Sequence, residues 1–282
     1  MSKFRRLFSQ LTKPQMNLMK KGLPKQKNIE GVKKIILISS AKGGVGKSTI
    51  AANLAISLME KTPNKSVGVL DADIFGPSQP HLFQLKNIKP EIDRQNLIIP
   101  LSNYGVKVMS IGFLIDPTAA VVWRGLMVMS AIEKLLFQVN WGDIDCLIID
   151  MPPGTGDVQL SICQRLFING AILVTTPQQL SIADVTRGWS MFQTMKIPVL
   201  GYIKNMSYFI CPNCDNKHEI FGTVQSDMLF DQKLDMIAEF QIESDSSKSN
   251  LSDIPITVGK PTASISKCYK QLADVVWNKI CF

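Results

Sequence analysis

The stretch from Lys33 to Ala55, KKIILISSAKGGVGKSTIAANLA, constrains the fold more than any other segment of the chain. It reads as strand, glycine loop and helix in succession. Ile35-Ile36-Leu37-Ile38 is a short, continuous apolar run rich in β-branched residues, the pattern of a parallel strand buried on both faces. Glycines end it, and a helix-forming run starts at Ser48. Gly43, Gly44 and Gly46 can take positive φ and turn backbone N–H groups inward on an anion at a helix N-terminus. Lys47 adds a point charge, and Ser48 adds a hydroxyl oxygen suited to Mg²⁺. The candidate phosphate cradle is therefore Gly43, Gly44, Val45, Gly46, Lys47, Ser48 and Thr49, with ATP and Mg²⁺ as the expected ligands.

In one place the spacing departs from the general phosphate-loop pattern G-x-x-x-x-G-K-S/T. Ala41 stands at the first glycine, and a second lysine, Lys42, follows it. The run K-G-G-V-G-K-S-T resembles the deviant phosphate loop of the ParA/MinD/nitrogenase-iron-protein class. In that class the extra lysine reaches across a dimer interface to the partner's nucleotide.

Other strand ends carry the remaining chemistry. Val67–Leu70 is a second buried strand that runs into Asp71-Ala72-Asp73, two carboxylates where ligands bind in open α/β sheets. Such a pair could order waters on Mg²⁺ and orient an attacking water, although either Asp alone could merely cap the next turn. Cys146–Ile149 ends at Asp150 and leads into the glycine-proline turn MPPGTGD. Asp150 is the expected magnesium-side carboxylate, and Gly154–Asp157 the expected γ-phosphate switch. Ala171–Thr175 and Val199–Ile203 are further strands, separated by a helix over Ile182–Met195. Asn205, just past the second of them, offers the donor and acceptor that suit a purine edge.

The repeated β-α-β alternation from residue 33 to 205 predicts one α/β domain, a doubly wound, mostly parallel sheet with helices on both faces. Phe75–Asn103 reads as loop and edge structure. Ala120–Phe137 reads as a helix whose Met-rich face suits core or a subunit interface. Ile265–Ile280 has helical spacing and reads as a core-packed terminal helix rather than a membrane-targeting one.

Charge separates a leader from this body. The chain has 31 Lys and Arg against 23 Asp and Glu, and residues 1–29 hold eight basic residues and no acid. The body from residue 30 to 282 is therefore balanced, which argues against a nucleic-acid partner. The leader mixes Arg and Lys with Phe4, Leu7, Phe8 and Leu11 at helical spacing, the composition of a mitochondrial presequence. A basic arm or a membrane-surface helix is the competing reading. No run is long enough to span a bilayer, so stable membrane insertion is not expected.

Six cysteines are too sparse for a disulfide framework. Cys211 and Cys214 form a Cys-x-x-Cys pair in a loop bounded by Phe209 and Phe221. Two thiolates supply half the ligands of a tetrahedral zinc or a cubane cluster, and His218 could be a third. A two-fold axis bringing two pairs together would complete a four-cysteine site. A dithiol switch, a zinc knuckle with a distant ligand, or two unrelated surface cysteines stay open alongside it.

The chain resembles the Mrp/Nbp-type iron–sulfur carrier ATPases, and most closely their mitochondrial NUBPL (Ind) branch. The stretches that carry the likeness include GLPKQKNIEGVKKII, AKGGVGKST, LDADIFGPSQP, VVWRGLMVMSAIEKLL, DMPPGTGDVQLS and CPNC…HEIFG, spread over residues 22 to 222. The resemblance implies that Lys42 acts across a homodimer, that Lys47, Ser48 and Thr49 hold phosphate and Mg²⁺, and that Asp73 positions the water. It implies a bridging 4Fe-4S cluster on Cys211 and Cys214, handed to clients during respiratory complex I assembly in the mitochondrial matrix. A slow ATP hydrolase is the expected activity, and a ParA/MinD-type positioning ATPase the alternative. The segment Ile237–Ile242, IAEFQI, departs from the family pattern and puts the last strand in doubt.

Overall fold

The structure, a computed structural model, describes residues 26–61, 64–115, 124–221, 234–242 and 254–281, with only the backbone of 179–184. β1 (Ile35–Ser39) feeds the glycine loop and α1 (Lys47–Lys61). β2 (Val67–Asp71), the short α2 (Gln79–Leu82), β3 (Leu101–Asn103) and β4 (Val106–Ser110) follow. Then come α3 (Gly125–Phe137), β5 (Cys146–Asp150), α4 (Asp157–Arg165), β6 (Gly170–Thr175), α5 (Gln179–Thr194) and β7 (Val199–Lys204). A hairpin of β8 (Phe209–Ile210) and β9 (Lys217–His218), β10 (Met236–Glu239), α6 (Ile256–Gly259) and α7 (Ser264–Cys281) complete the chain.

Eight strands form one sheet in the order β10-β7-β6-β1-β5-β2-β4-β3. Every pairing is parallel except β3 with β4. All residues of β1, β2, β5 and β6 are buried, which is why these strands are apolar runs rather than alternating ones. The chain leaves β1 toward the β2 side and later crosses to β6 on the other, so the crevice at the carboxyl ends lies where the winding reverses. Register sets the site: Ile38 and Asp71 both pair with Asp150.

The doubted segment is a strand. Phe240 N–H donates to the Lys204 carbonyl at 2.9 Å and Ser207 N–H to the Phe240 carbonyl at 2.8 Å, tying it to the end of β7. Phe240 also stacks on Tyr269 of α7, with ring centroids 4.3 Å apart. A side chain at Gly201 would meet Ile237 at 2.4 Å, so β10 docks only because β7 carries a glycine there. The terminal helix is core-packed, as expected. Ile265, Tyr269, Leu272, Val276 and Ile280 are buried, and ion pairs join Lys61 to Asp274 and, at 2.9 Å, Lys270 to Glu60 of α1.

Phe75–Asn103 holds the expected edge structure in the antiparallel edge strand β3 and adds the short α2, both too short for periodicity to announce. The helix expected from Ala120 is described from Gly125, and Trp123 lies outside the described residues. The leader lies outside them up to residue 25, but its expected last residues belong to the body. Lys27 N–H donates to the Arg165 carbonyl at 2.7 Å, and Ile29 is buried. No described helix is long and apolar enough to cross a membrane.

Candidate nucleotide site and cysteine hairpin

The glycine loop wraps the N-terminus of α1. Gly44 and Gly46 have φ of +78° and +85°, values that favour glycine. A side chain at Gly46 would also strike the Asn205 amide nitrogen at 2.3 Å, whereas Gly43 and Gly44 face open space. Beside them lies a cavity of about 690 Å³, the size of a small-ligand site. Gly43, Gly44, Gly46, Lys47, Ser48, Thr49 and Asp73 line it. Val45 does not: it is buried, and its carbonyl accepts from Asn205 Nδ2 at 2.8 Å. Asn205 thus braces the loop from behind. Lys42 is exposed, off the cavity wall, with Nζ 3.4 Å from Gln178 Oε1.

Beneath the loop the charges pair. Lys47 Nζ is bonded to Asp150, with side-chain exposures of 7% and 0%, and lies 3.4 Å from Ser48 Oγ. Asp150 accepts a second bond, from Gln79 Nε2 at 2.8 Å. Asp150 therefore lies against the first residue of the helix.

Asp71, expected to bind cofactor, has a buried carboxylate that accepts from the N–H groups of Asp73, Ser78 and Gln79, each at 3.1 Å, and from Ser110 Oγ at 3.0 Å. It organises the loop from 73 to 79 and is absent from the cavity wall. Burial, and then the Asp150 charge, pushes its carboxyl up to about 7. Asp73 is the one of the pair that reaches the cavity. It is half-buried, and burial raises its carboxyl too, against the pull of Lys47.

Gln79 was not anticipated. A glutamine beside proline in a loop reads as surface, and only the folded chain carries it under β5. In the turn expected to act as a switch, Gly154, at φ +97°, donates its N–H to the Ser40 carbonyl at 2.9 Å.

The cysteines sit on the small hairpin, where Phe209 pairs with His218. Cys211 N–H donates to the Asn216 carbonyl at 3.0 Å, and Asp215 N–H to the Cys211 carbonyl at 2.9 Å. The Cys211 sulfur accepts from the N–H groups of Asn213 and Cys214, which holds its thiol below the ordinary range. Cys214 is exposed. A turn whose amides face sulfur is suited to a thiolate bound to metal. Among the described residues, no group of three His, Cys, Asp or Glu is placed to hold a metal, His218 with the two cysteines included.

Burial pushes the Cys146 and Cys163 thiols up to about 12, so neither competes as a nucleophile. Because a depressed thiol stays ionised as pH falls, Cys211 is expected to alkylate first with limiting iodoacetamide at about pH 7. Cys146 and Cys163 should stay unlabelled until the protein unfolds. Peptide mass mapping checks this, and labelling of Cys146 ahead of Cys211 would contradict it.

A parallel sheet whose central strand feeds a glycine loop, with a helix-terminal lysine and carboxylates on neighbouring strand ends, defines a phosphate-loop NTPase. A family model described as ParA, NUBPL iron-transfer P-loop NTPase, matches residues 31–277, and the chain belongs to that family. It is 48% identical over 265 residues to the mouse iron-sulfur cluster transfer protein NUBPL, covering 93% of this chain and 82% of that one. It is 45% identical over 249 residues to an Arabidopsis thaliana iron-sulfur protein required for NADH dehydrogenase, mitochondrial, covering 88% and 79%. Among solved structures, it is similar to an Archaeoglobus fulgidus nucleotide-binding protein in complex with ADP. That match has a TM-score of 0.66 and 40% identity, over 77% of this chain and 84% of that one.

Proposed function

We propose that this protein is an ATP-dependent carrier that holds a 4Fe-4S cluster between two copies of the chain. Its clients are iron–sulfur proteins of respiratory complex I assembly in the mitochondrial matrix. The observation that carries the reading is the hairpin. It presents two neighbouring cysteines, Cys214 exposed and Cys211 with its thiol lowered by turn amides, with no third ligand among the described residues to close a site within one chain. Two-fold pairing of two such hairpins makes the four-thiolate set a cubane needs.

The nucleotide site fits the same reading. The loop amides, Lys47 and Thr49 hold phosphate, Ser48 and Asp150 offer hard oxygens to Mg²⁺, and Asp73 orients water from the cavity wall. When bound, Mg²⁺ neutralises phosphate charge. Lys47 exchanges Asp150 for phosphate as the nucleotide enters. Asn205, whose amide nitrogen braces the loop at the Val45 carbonyl, reads a purine edge through its remaining acceptor, and Lys42, exposed, serves the partner's nucleotide. With that lysine arriving only on dimerisation, hydrolysis by the free chain is slow. The balanced body and the covered apolar face of α7 favour a carrier over a positioning ATPase that docks on DNA or membrane.

Anaerobic reconstitution followed by sedimentation tests the proposal. A dimer with about four irons and four sulfides is expected, able to activate an apo-acceptor that needs a 4Fe-4S cluster. Zinc in place of iron, or iron on a monomer, would overturn it.

A further inference from the structure

Gln79 ties together three elements of the nucleotide site from outside the phosphate loop. Its backbone N–H donates to Asp71 Oδ2 at 3.1 Å, and its side-chain Nε2 donates to Asp150 Oδ2 at 2.8 Å and to the Ser48 carbonyl at 3.1 Å. One residue therefore joins the carboxyl ends of β2 and β5 to the first turn of α1. Both side-chain partners are acceptors, so the amide orientation is fixed, with the nitrogen toward Asp150. The oxygen is left over. Gln79 is fully buried, and Oε1 has no hydrogen-bond partner among the described residues.

An orphaned buried acceptor is costly and rare, and it calls for a physical reason. Asp150 has two donors here, Lys47 and Gln79. If Lys47 leaves for a phosphate, Gln79 is the remaining one, and the carboxylate keeps its aim only through that amide. The same amide fixes the backbone at Ser48, whose hydroxyl faces the cavity.

We propose that Gln79 is a positioning residue for the magnesium side of the site. Its Nε2 holds Asp150 and the Ser48 backbone in register, and its Oε1 is the acceptor for a water carried in with Mg²⁺. This inference rests on the magnesium–nucleotide reading above. It separates two parts of nucleotide binding that the phosphate loop alone would not separate. The loop amides and Lys47 act on phosphate with or without the metal, and Gln79 acts only with it.

The test uses full-length protein with Gln79→Met, which keeps volume and removes the amide, and Gln79→Ala as a second variant. A fluorescent ADP analogue is titrated with Mg²⁺ and with EDTA, alongside thermal unfolding. In the parent protein Mg²⁺ should tighten binding. In Gln79→Met that gain should shrink by about tenfold, the scale of one lost charged hydrogen bond, while affinity in EDTA stays within about twofold. Equal loss with and without Mg²⁺ in both variants would make Gln79 a packing residue and overturn the proposal, as would an undiminished magnesium gain. A parent protein whose affinity ignores Mg²⁺ would instead overturn the underlying reading of the site. A Met variant that does not fold leaves Gln79→Ala to decide by the same ratio.

Discussion

Cys211→Ala protein, reconstituted without oxygen, is expected to retain no more iron and sulfide than the Cys211→Ala/Cys214→Ala double variant, which is close to none. The reason is symmetry. In a site shared across a two-fold axis, one substitution per chain removes two of four ligands, and a cubane does not persist on two thiolates. A site built within one chain would behave differently, since a single substitution would leave three ligands and partial occupancy. Nucleotide affinity should be unchanged in both variants, because neither cysteine lines the phosphate cavity. Iron and acid-labile sulfide assays beside a visible spectrum read the result. A single variant holding about half the parent iron would refute the shared site.

Lys47→Ala is expected to lose nucleotide binding by about a hundredfold or more and to lose stability as well. Two charge-assisted bonds to phosphate, at about 1.5 kcal/mol or more each, account for the first effect. The second follows from the free protein. Lys47 and Asp150 are both buried and bonded to each other, so removing the lysine strands a carboxylate, which costs about 3–5 kcal/mol. The double variant Lys47→Ala/Asp150→Ala separates the two. Its unfolding midpoint in urea should recover much of the loss while nucleotide binding stays absent. A Lys47→Ala protein as stable as the parent would show that the pair contributes nothing to the folded state.

The part of the site legible in the sequence is the part whose chemistry is local. Three glycines, a lysine and a hydroxyl within a few residues fix the phosphate loop, because positive φ and inward N–H groups are properties of that segment alone. The buried strands were readable for a related reason: a parallel strand covered on both faces has no polar alternation to disguise it. Asp71 and Asp73 show where this ends. Both are carboxylates at one strand end, and spacing treats them alike. What divides them is the loop from 73 to 79, which folds its amides onto Asp71 and leaves Asp73 to the cavity.

Gln79 was illegible because its role exists only once β2, β5 and α1 are assembled. His218 has a spacing from the cysteines that suits a ligand, and hairpin register, which spacing does not reveal, sets it across from Phe209. The last strand was doubted because IAEFQI departs from the family pattern. The structure keeps it through contacts far away in sequence, a glycine in β7 and a tyrosine in α7.

The packing of α7 on α1 has a consequence for the order in which the molecule can be made. The phosphate loop is synthesised before its neighbours: β1 ends at Ser39, and the strands beside it in the sheet begin only at Cys146 and Gly170. The helix that covers α1 begins later still, at Ser264. Such pairings order slowly and leave apolar surface bare while the chain is unfinished. The segment with the clearest local signature is thus among the last to acquire its native surroundings, and a product that stops short of α7 is damaged at the helix carrying Lys47 and Ser48.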